Sequence, residues 1–257
     1  GVQEILQRGI LMEAIGVISY KGGTGKTTVS VALSLALARA GERVALLDGD
    51  TPAPDLLEML GVEQEAIGLD GEKRKLVPVD LGNGLKVFSV ASMFPKTIGA
   101  HWDDTQRSRW FRSCLSDVEW GDIDRLVIDL PPGTSPEFDH LRDRLKSTVV
   151  IVVTPSKYSL LDNGKLITHL KRRKLKPLGV VENMAEYECS CGRSCKPWGT
   201  EDVEAWGARL EVPYLGKLPF IDSLDGQVGR TLSNHDTIEA LVRKATKQHS
   251  VAPWLQA

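Results

Sequence analysis

The chain has 257 residues, 42% of them apolar and 26% charged, with a net charge of −2. That size accommodates one large core, or one core with a small appendage, and the near-neutral balance supplies no general attraction to nucleic acid or an acidic membrane surface. No apolar run reaches bilayer length and no cleavable-signal pattern opens the chain, so a cytoplasmic protein without nucleic-acid or membrane partners is expected.

The first predicted element is a buried strand over Ala14–Ser19. It runs into Lys21-Gly22-Gly23-Thr24-Gly25-Lys26-Thr27-Thr28, which opens a helix predicted over Thr27–Ala40 and stopped by Gly41. Glycines let successive backbone N–H groups turn inward around a phosphate chain, and the helix start adds its dipole. Lys26 supplies charge for the β- and γ-phosphates, and Thr27 offers a hydroxyl to Mg²⁺. Tyr20 stands where the common phosphate-loop pattern has its first glycine, and a second lysine, Lys21, leads the loop. Lys21 cannot easily fold back beside Lys26. It is therefore expected to reach across a dimer interface to the partner's nucleotide, as an arginine finger does.

A strand over Val44–Leu47 ends in Asp48-Gly49-Asp50, and a short helix is predicted over Asp55–Leu60. In a doubly wound sheet the carboxyl ends of the strands converge on the ligand. Asp50 is the candidate for orienting the attacking water and Asp48 for supporting Mg²⁺ or the loop. Lys75–Leu81 and Leu85–Val90, separated by Gly82-Asn83-Gly84, read as an edge hairpin. Thr105–Val118 reads as an amphipathic helix holding Cys114 as a buried thiol. The strand Arg125–Asp129 then delivers Asp129 to the metal's water shell. Leu130-Pro131-Pro132-Gly133-Thr134-Ser135 follows as a stiff segment with one swivel, suited to sensing a γ-phosphate.

Strands over Thr148–Val153, Leu178–Glu182 and Tyr214–Lys217 alternate with helices over Leu160–Lys174, Glu201–Leu210 and Asp236–Gln248. The cations Lys171-Arg172-Arg173-Lys174 complement a helix dipole at its C-terminal end. This alternation predicts an α/β fold: a doubly wound, mainly parallel sheet with helices on both faces. One domain over 1–257 is expected, with an N-terminal extension over 1–13. Cys189, Cys191 and Cys195 fall within seven residues. In a chain of this size and compartment such a cluster favours metal or redox chemistry over a disulfide scaffold.

With those residues in view, Lys21-Gly22-Gly23-Thr24-Gly25-Lys26-Thr27 resembles the deviant Walker A loop of the MinD/ParA/nitrogenase-iron-protein superfamily. Ile128-Asp129-Leu130-Pro131-Pro132-Gly133-Thr134-Ser135 and Gly179-Val180-Val181-Glu182-Asn183-Met184 look like its Mrp/ApbC branch of iron–sulfur cluster carriers. The likeness spans roughly residues 14–230. It implies ATP hydrolysis with Mg²⁺, face-to-face homodimers, apo iron–sulfur proteins as clients, and a first lysine acting in trans. By the same likeness Asn183 contacts adenine, and the Leu218-Pro219-Phe220 loop packs near the base. Family members bridge a 4Fe–4S cluster with a Cys-Pro-x-Cys pair from each subunit. Here Cys189 falls at the family distance from Met184, but Gly192 stands where its partner belongs, so Cys189, Cys191 and Cys195 are the candidate ligands. Thiolates in this pattern suit iron–sulfur or Zn²⁺. The alternatives are a nickel or zinc insertion ATPase of the CooC kind, which uses Cys-x-Cys, and a partition or positioning ATPase of the ParA/MinD kind.

Overall fold

The computed structural model describes residues 13–51, 54–62, 69–70, 75–89, 102–135, 137–138, 140–141, 145–189, 191–221 and 228–249. The strands in chain order are β1 (Glu13–Ile18), β2 (Val44–Asp48), β3 (Leu69–Asp70), β4 (Lys75–Leu76), β5 (Val79–Asp80), β6 (Leu85–Ser89), β7 (Arg125–Asp129), β8 (Lys146–Val153), β9 (Pro177–Glu182), β10 (Tyr187–Glu188), β11 (Ser194–Cys195) and β12 (Tyr214–Lys217). The helices are α1 (Lys26–Arg39), α2 (Leu56–Met59), α3 (Asp104–Ser116), α4 (Lys157–Arg172), α5 (Val203–Arg209), α6 (Val228–Ser233) and α7 (Asp236–His249).

Eight strands form one sheet in the order β12-β9-β8-β1-β7-β2-β6-β5. All neighbours run parallel except the edge pair β5 and β6. Central strands β1, β2 and β7 are apolar on both faces because helices cover both faces. Two apolar layers result. One includes Phe88, Phe111, Ile128 and Leu166; the other includes Ile15, Leu33, Leu46 and Leu241. Ten of the fourteen residues of α1 are buried, which explains why this helix is apolar around nearly all its circumference. Register then sets up the chemistry. Val17 and Asp48 both pair with Asp129, so the carboxyl ends of β1, β2 and β7 finish level with one another.

The edge hairpin differs from its prediction. Only Val79–Asp80 pairs antiparallel with β6, whereas Lys75–Leu76 pairs with Leu69–Asp70. Pro78 breaks the expected long strand, since it has no N–H for a ladder and restricts the residue before it. Val90, the predicted end of that hairpin, and residues 1–12 of the N-terminal extension lie outside the described residues. Cys114 is buried in α3 as expected, and its carbonyl accepts the indole N–H of Trp120 at 3.0 Å.

Two glycines give a paired test of this packing. A Cβ on Gly179 of β9 would lie 2.6 Å from the Pro213 carbonyl oxygen and 2.5 Å from Leu215 Cγ, whereas one on Gly164 of α4 would meet nothing within 4 Å. Gly179→Ala is expected to destabilise the protein by about 1–3 kcal/mol through overpacking. Gly164→Ala is expected to raise stability by up to about 1 kcal/mol through helix propensity. Thermal or urea melts of both variants check the two signs.

Candidate nucleotide site and cysteine hairpin

Gly25 is the N-cap of α1 and has φ 84°, while Gly23 has φ 73°. Both lie in the left-handed region that a side chain disfavours. Gly25 brings no side chain to cap the first turn of α1, which leaves N–H groups there for an anion. They open onto a cavity of about 550 Å³ lined by Gly22, Gly23, Gly25, Lys26, Thr27, Thr28 and Asp50, with Pro131, Pro132, Thr134 and Ser135 opposite. Asp55, Met59, Asp104 and Arg107 complete the wall. This is the glycine loop, lysine and strand-end carboxylate that the sequence places together.

The carboxylates divide by position. Asp50 faces the cavity; burial raises its proton affinity, and the nearby charges of Lys26 and Arg107 oppose that rise. Asp48 is buried behind it. Its Oδ1 accepts the Asp50 N–H at 3.1 Å and its Oδ2 accepts the Ser89 hydroxyl at 2.7 Å, so both oxygens are engaged in holding the loop. Burial pushes Asp48 well above the ordinary carboxylate range, and the charge of Asp129 adds to it. Of the two roles foreseen for Asp48, loop support has a hydrogen-bond basis, while its carboxylate is absent from the cavity wall.

Asp129 is also buried. Its Oδ1 accepts the Ser30 hydroxyl at 3.0 Å, but its Oδ2 has no hydrogen-bond partner among the described residues. Burial raises its pKa to about 6, against the favourable influence of Thr27, Lys26 and Ser30. An orphaned carboxylate oxygen beside a threonine that lines the cavity fits a hydrated Mg²⁺, which is bound by one or two protein oxygens and keeps its waters. The donor set is hard oxygen, as that ion requires.

Lys21 does not line the cavity. Its Nζ lies 3.3 Å from Asp162 Oδ2 and 5.5 Å from the centroid of the Tyr158 ring, and its side chain is 46% exposed. Hydrogen bonds from Lys165 and Lys21 hold the Asp162 carboxyl below its usual range. The next residue, Asn163, is fully buried and accepts the Tyr20 N–H at 3.0 Å. Helix α4 thus anchors the front of the loop, a role the motifs did not reveal. A signal was present: Asn163 interrupts the apolar stripe of Leu160, Leu166, Ile167 and Leu170.

Three groups of expected site residues make other contacts in this structure. Asn183 is 4% exposed, and its Nδ2 donates to the Thr24 carbonyl at 2.9 Å. A Cβ on Gly25 would sit 2.1 Å from that nitrogen, so Asn183 packs onto the loop itself. Neither Pro219 nor Phe220 lines the cavity; the Phe220 ring lies 5.7 Å from Tyr187 and 4.5 Å from Trp198, centroid to centroid. The third group is the cysteines. Cys189 and Cys191 are joined in a disulfide, and Cys195 is a free, exposed thiol. Gly192, with φ 78°, turns the chain back so that β11 pairs with β10, Cys195 opposite Tyr187. Among the described residues no group of three metal-ligating side chains is assembled. Ser190, inside this segment, lies outside the described residues.

A glycine loop between strand and helix, with carboxylates at the adjoining strand ends of a parallel sheet, defines a P-loop NTPase. Sequence comparison narrows the class. Residues 11–250 match the ParA family described as NUBPL iron-transfer P-loop NTPase, and the chain belongs to that family. It is 35% identical over 215 residues to an iron-sulfur cluster carrier protein of Pyrococcus horikoshii, covering 80% of this chain and 73% of that one. It is 30% identical over 258 residues to the cytosolic Fe-S cluster assembly factor CFD1 of Saccharomyces cerevisiae, covering 92% and 88%. Among solved structures, a nucleotide-binding protein of Archaeoglobus fulgidus in complex with ADP superposes with a TM-score of 0.70 at 29% identity, covering 93% of this chain and 91% of that chain. The MinD protein of Pyrococcus horikoshii, at 22% identity and a TM-score of 0.64, shares the fold. The relatives favour the iron–sulfur branch over the nickel, zinc and partition alternatives. Among the described residues no helix is long and apolar enough to cross a membrane.

The buried Asp129 yields a signed expectation. Its folded pKa exceeds the ordinary 3.8, so its contribution to stability is present below about pH 4 and lost as pH rises through about 6. At pH 7.5 Asp129→Asn is therefore expected to melt no lower than wild type without ligand, yet to lose the extra stabilisation that Mg²⁺ gives to nucleotide-bound protein. Melting curves with ADP, with and without Mg²⁺, provide the check.

Proposed function

We propose that the protein hydrolyses Mg·ATP as a homodimer and uses the cycle to load an iron–sulfur cluster and deliver it to apoproteins in the cytosol, all from one P-loop domain. The loop N–H groups and Lys26 hold the phosphates, Thr27 and Asp129 hold Mg²⁺ and its waters, and Asp50 orients the water that attacks the γ-phosphorus. Mg²⁺, when bound, draws charge from the β- and γ-phosphate oxygens. The products are ADP and phosphate, and the chain's task is alignment and charge neutralisation. Lys21 leaves Asp162 and serves the partner's nucleotide in this reading. The cluster is cargo. Two-electron reduction of the Cys189–Cys191 disulfide by a thiol reductant frees two thiolates; with Cys195 nearby, paired subunits offer enough sulfur for a 4Fe–4S cluster.

The observation that carries this reading is the short covalent path between the two sites. Asn183 is seated on the phosphate loop, and Cys189 follows six residues later. The path is braced, since the Ala185 N–H donates to the Leu218 carbonyl and the Phe220 N–H to the Glu186 carbonyl, at 3.0 and 2.8 Å. A loop that moves with nucleotide state therefore has few free joints before it reaches the sulfur atoms. Linkage makes the coupling reciprocal: if ATP tightens cluster binding, cluster tightens ATP binding by the same factor.

Anaerobic reconstitution of thiol-reduced protein with ferrous iron and sulfide tests the cargo. Wild type is expected to gain brown absorbance and stoichiometric iron and sulfide, and Cys189→Ser and Cys191→Ser to lose both; zinc uptake alone would refute the iron–sulfur assignment. For the ATPase, Lys21→Gln is expected to bind nucleotide normally while turnover falls by at least about 100-fold, as when a transition-state donor is withdrawn. Steady-state phosphate release and nucleotide titration separate these two effects.

A further inference from the structure

One basic side chain at the nucleotide cavity belongs to none of the sequence motifs. Arg107, on α3, lines the cavity beside Lys26 and Asp50. Its Nε and Nη2 donate to Glu137 Oε1 and Oε2 at 2.9 and 3.0 Å, a two-pronged pair. Glu137 is fully buried, and it follows the Pro131–Ser135 segment by two residues. Both oxygens of the carboxylate are thus spent on orienting one guanidinium. The remaining nitrogen, Nη1, has Asp104 Oδ1 at 3.6 Å, on a side chain 81% exposed. That contact is long and solvent-screened.

A buried ion pair of this kind adds little net stability, because desolvating both charges offsets their attraction. What it does supply is a cation with one edge fixed and the other free, at a cavity whose floor is built from a helix start and Lys26. Planar, preorganised guanidinium is well matched to phosphate oxygens. The wall position matters as well. Lys26 and the α1 N-terminus approach from the loop, whereas Arg107 approaches from α3, on the side of Asp50 and the Pro131–Ser135 segment. With Asp50 orienting the attacking water, as proposed above, the last phosphate of the chain is the one placed on that side.

We propose that Arg107 is a third cation of the phosphate site, positioned by Glu137 so that Nη1 meets the terminal phosphate of a bound nucleoside triphosphate and distinguishes it from a diphosphate. This rests on the nucleotide-site reading above and adds a specificity residue to it. Glu137 acts only through Arg107 and is a positioning residue. Because Glu137 leaves directly from the swivelling segment, loss of the terminal phosphate would alter the load on that segment through this pair.

The test measures equilibrium affinity for Mg·AMP-PNP and Mg·ADP by calorimetry on the full chain. Arg107→Gln strands the buried Glu137 charge and can unfold the protein, so the double variant Arg107→Gln/Glu137→Gln accompanies it and removes that charge. Thermal melts confirm folding before titration. In the folded variant the affinity for Mg·AMP-PNP is expected to fall about tenfold, the order of one charge-assisted hydrogen bond, with Mg·ADP affinity unchanged. Arg107→Lys is expected to restore part of the triphosphate preference, and Glu137→Gln alone to lose part of it. Equal losses for both nucleotides, or no loss in a folded double variant, would overturn the assignment to Arg107. Wild-type protein that binds neither nucleotide would overturn the nucleotide reading itself, a result visible before any variant is made.

Discussion

Helix α1 begins on Gly25, which has no side chain to cap its first N–H groups, and the surrounding architecture opens that end onto the cavity. An uncapped helix start is costly unless something accepts those hydrogen bonds. Here several nearby polar side chains are committed elsewhere. Asn183 donates to the Thr24 carbonyl, Asn163 accepts from Tyr20, and Ser30 turns to its own helix at Lys26 and to Asp129. The loop is therefore held in its curled form by side contacts, while its inward-facing donors remain for an anion. Preorganisation of this kind is what phosphate chemistry needs, since no reorganisation then accompanies charge development.

Much of this was legible in the sequence. Central strands showed themselves as β-branched runs, α1 as an apolar helix after glycines, and Asp50 and Asp129 as strand-end carboxylates. Local chemistry and one-dimensional order suffice for these, because each depends on residues within a few positions of itself. What escaped was set by partners far apart in the chain. Asp162 and Asn163 meet the loop across about 140 positions, and Arg107 meets Glu137 across 30. The division between Asp50 and Asp48 is legible in outline, but the partner that engages Asp48, Ser89 at the end of a neighbouring strand, is not. Family likeness sets Asn183 and Phe220 near adenine, and packing adds contacts it does not foresee: Asn183 on the Thr24 carbonyl, Phe220 against Tyr187 and Trp198.

The cysteine ribbon illustrates how the nucleotide end and the sulfur end share one frame. Phe220, Tyr187 and Trp198 form an aromatic contact at the root of the ribbon. The chain leaving it is tied down by the Glu201 N–H on the Pro155 carbonyl, just ahead of α4. Gly199 lies so close to that carbonyl, 2.2 Å from where a Cβ would be, that no larger residue fits. Helix α4 in turn carries the groups that steady the front of the phosphate loop. Two routes therefore join loop and ribbon, one through β9 and one through α4.

The borders of the large sheet have a consequence of their own. One border strand, β5, is two residues long and runs against its neighbour; the other, β12, is four residues long and broken by a register shift between Tyr214 and Gly216. Neither offers a flat run of open N–H and C=O groups on which another molecule's strand could grow. Strand-on-strand growth thus finds little purchase along the rims, and what remains open is the surface where the strands end. There Lys21 and the aromatic Tyr158 lie together at the front of the phosphate loop, so rims that discourage fibres leave the strand ends as the face where the chemistry gathers.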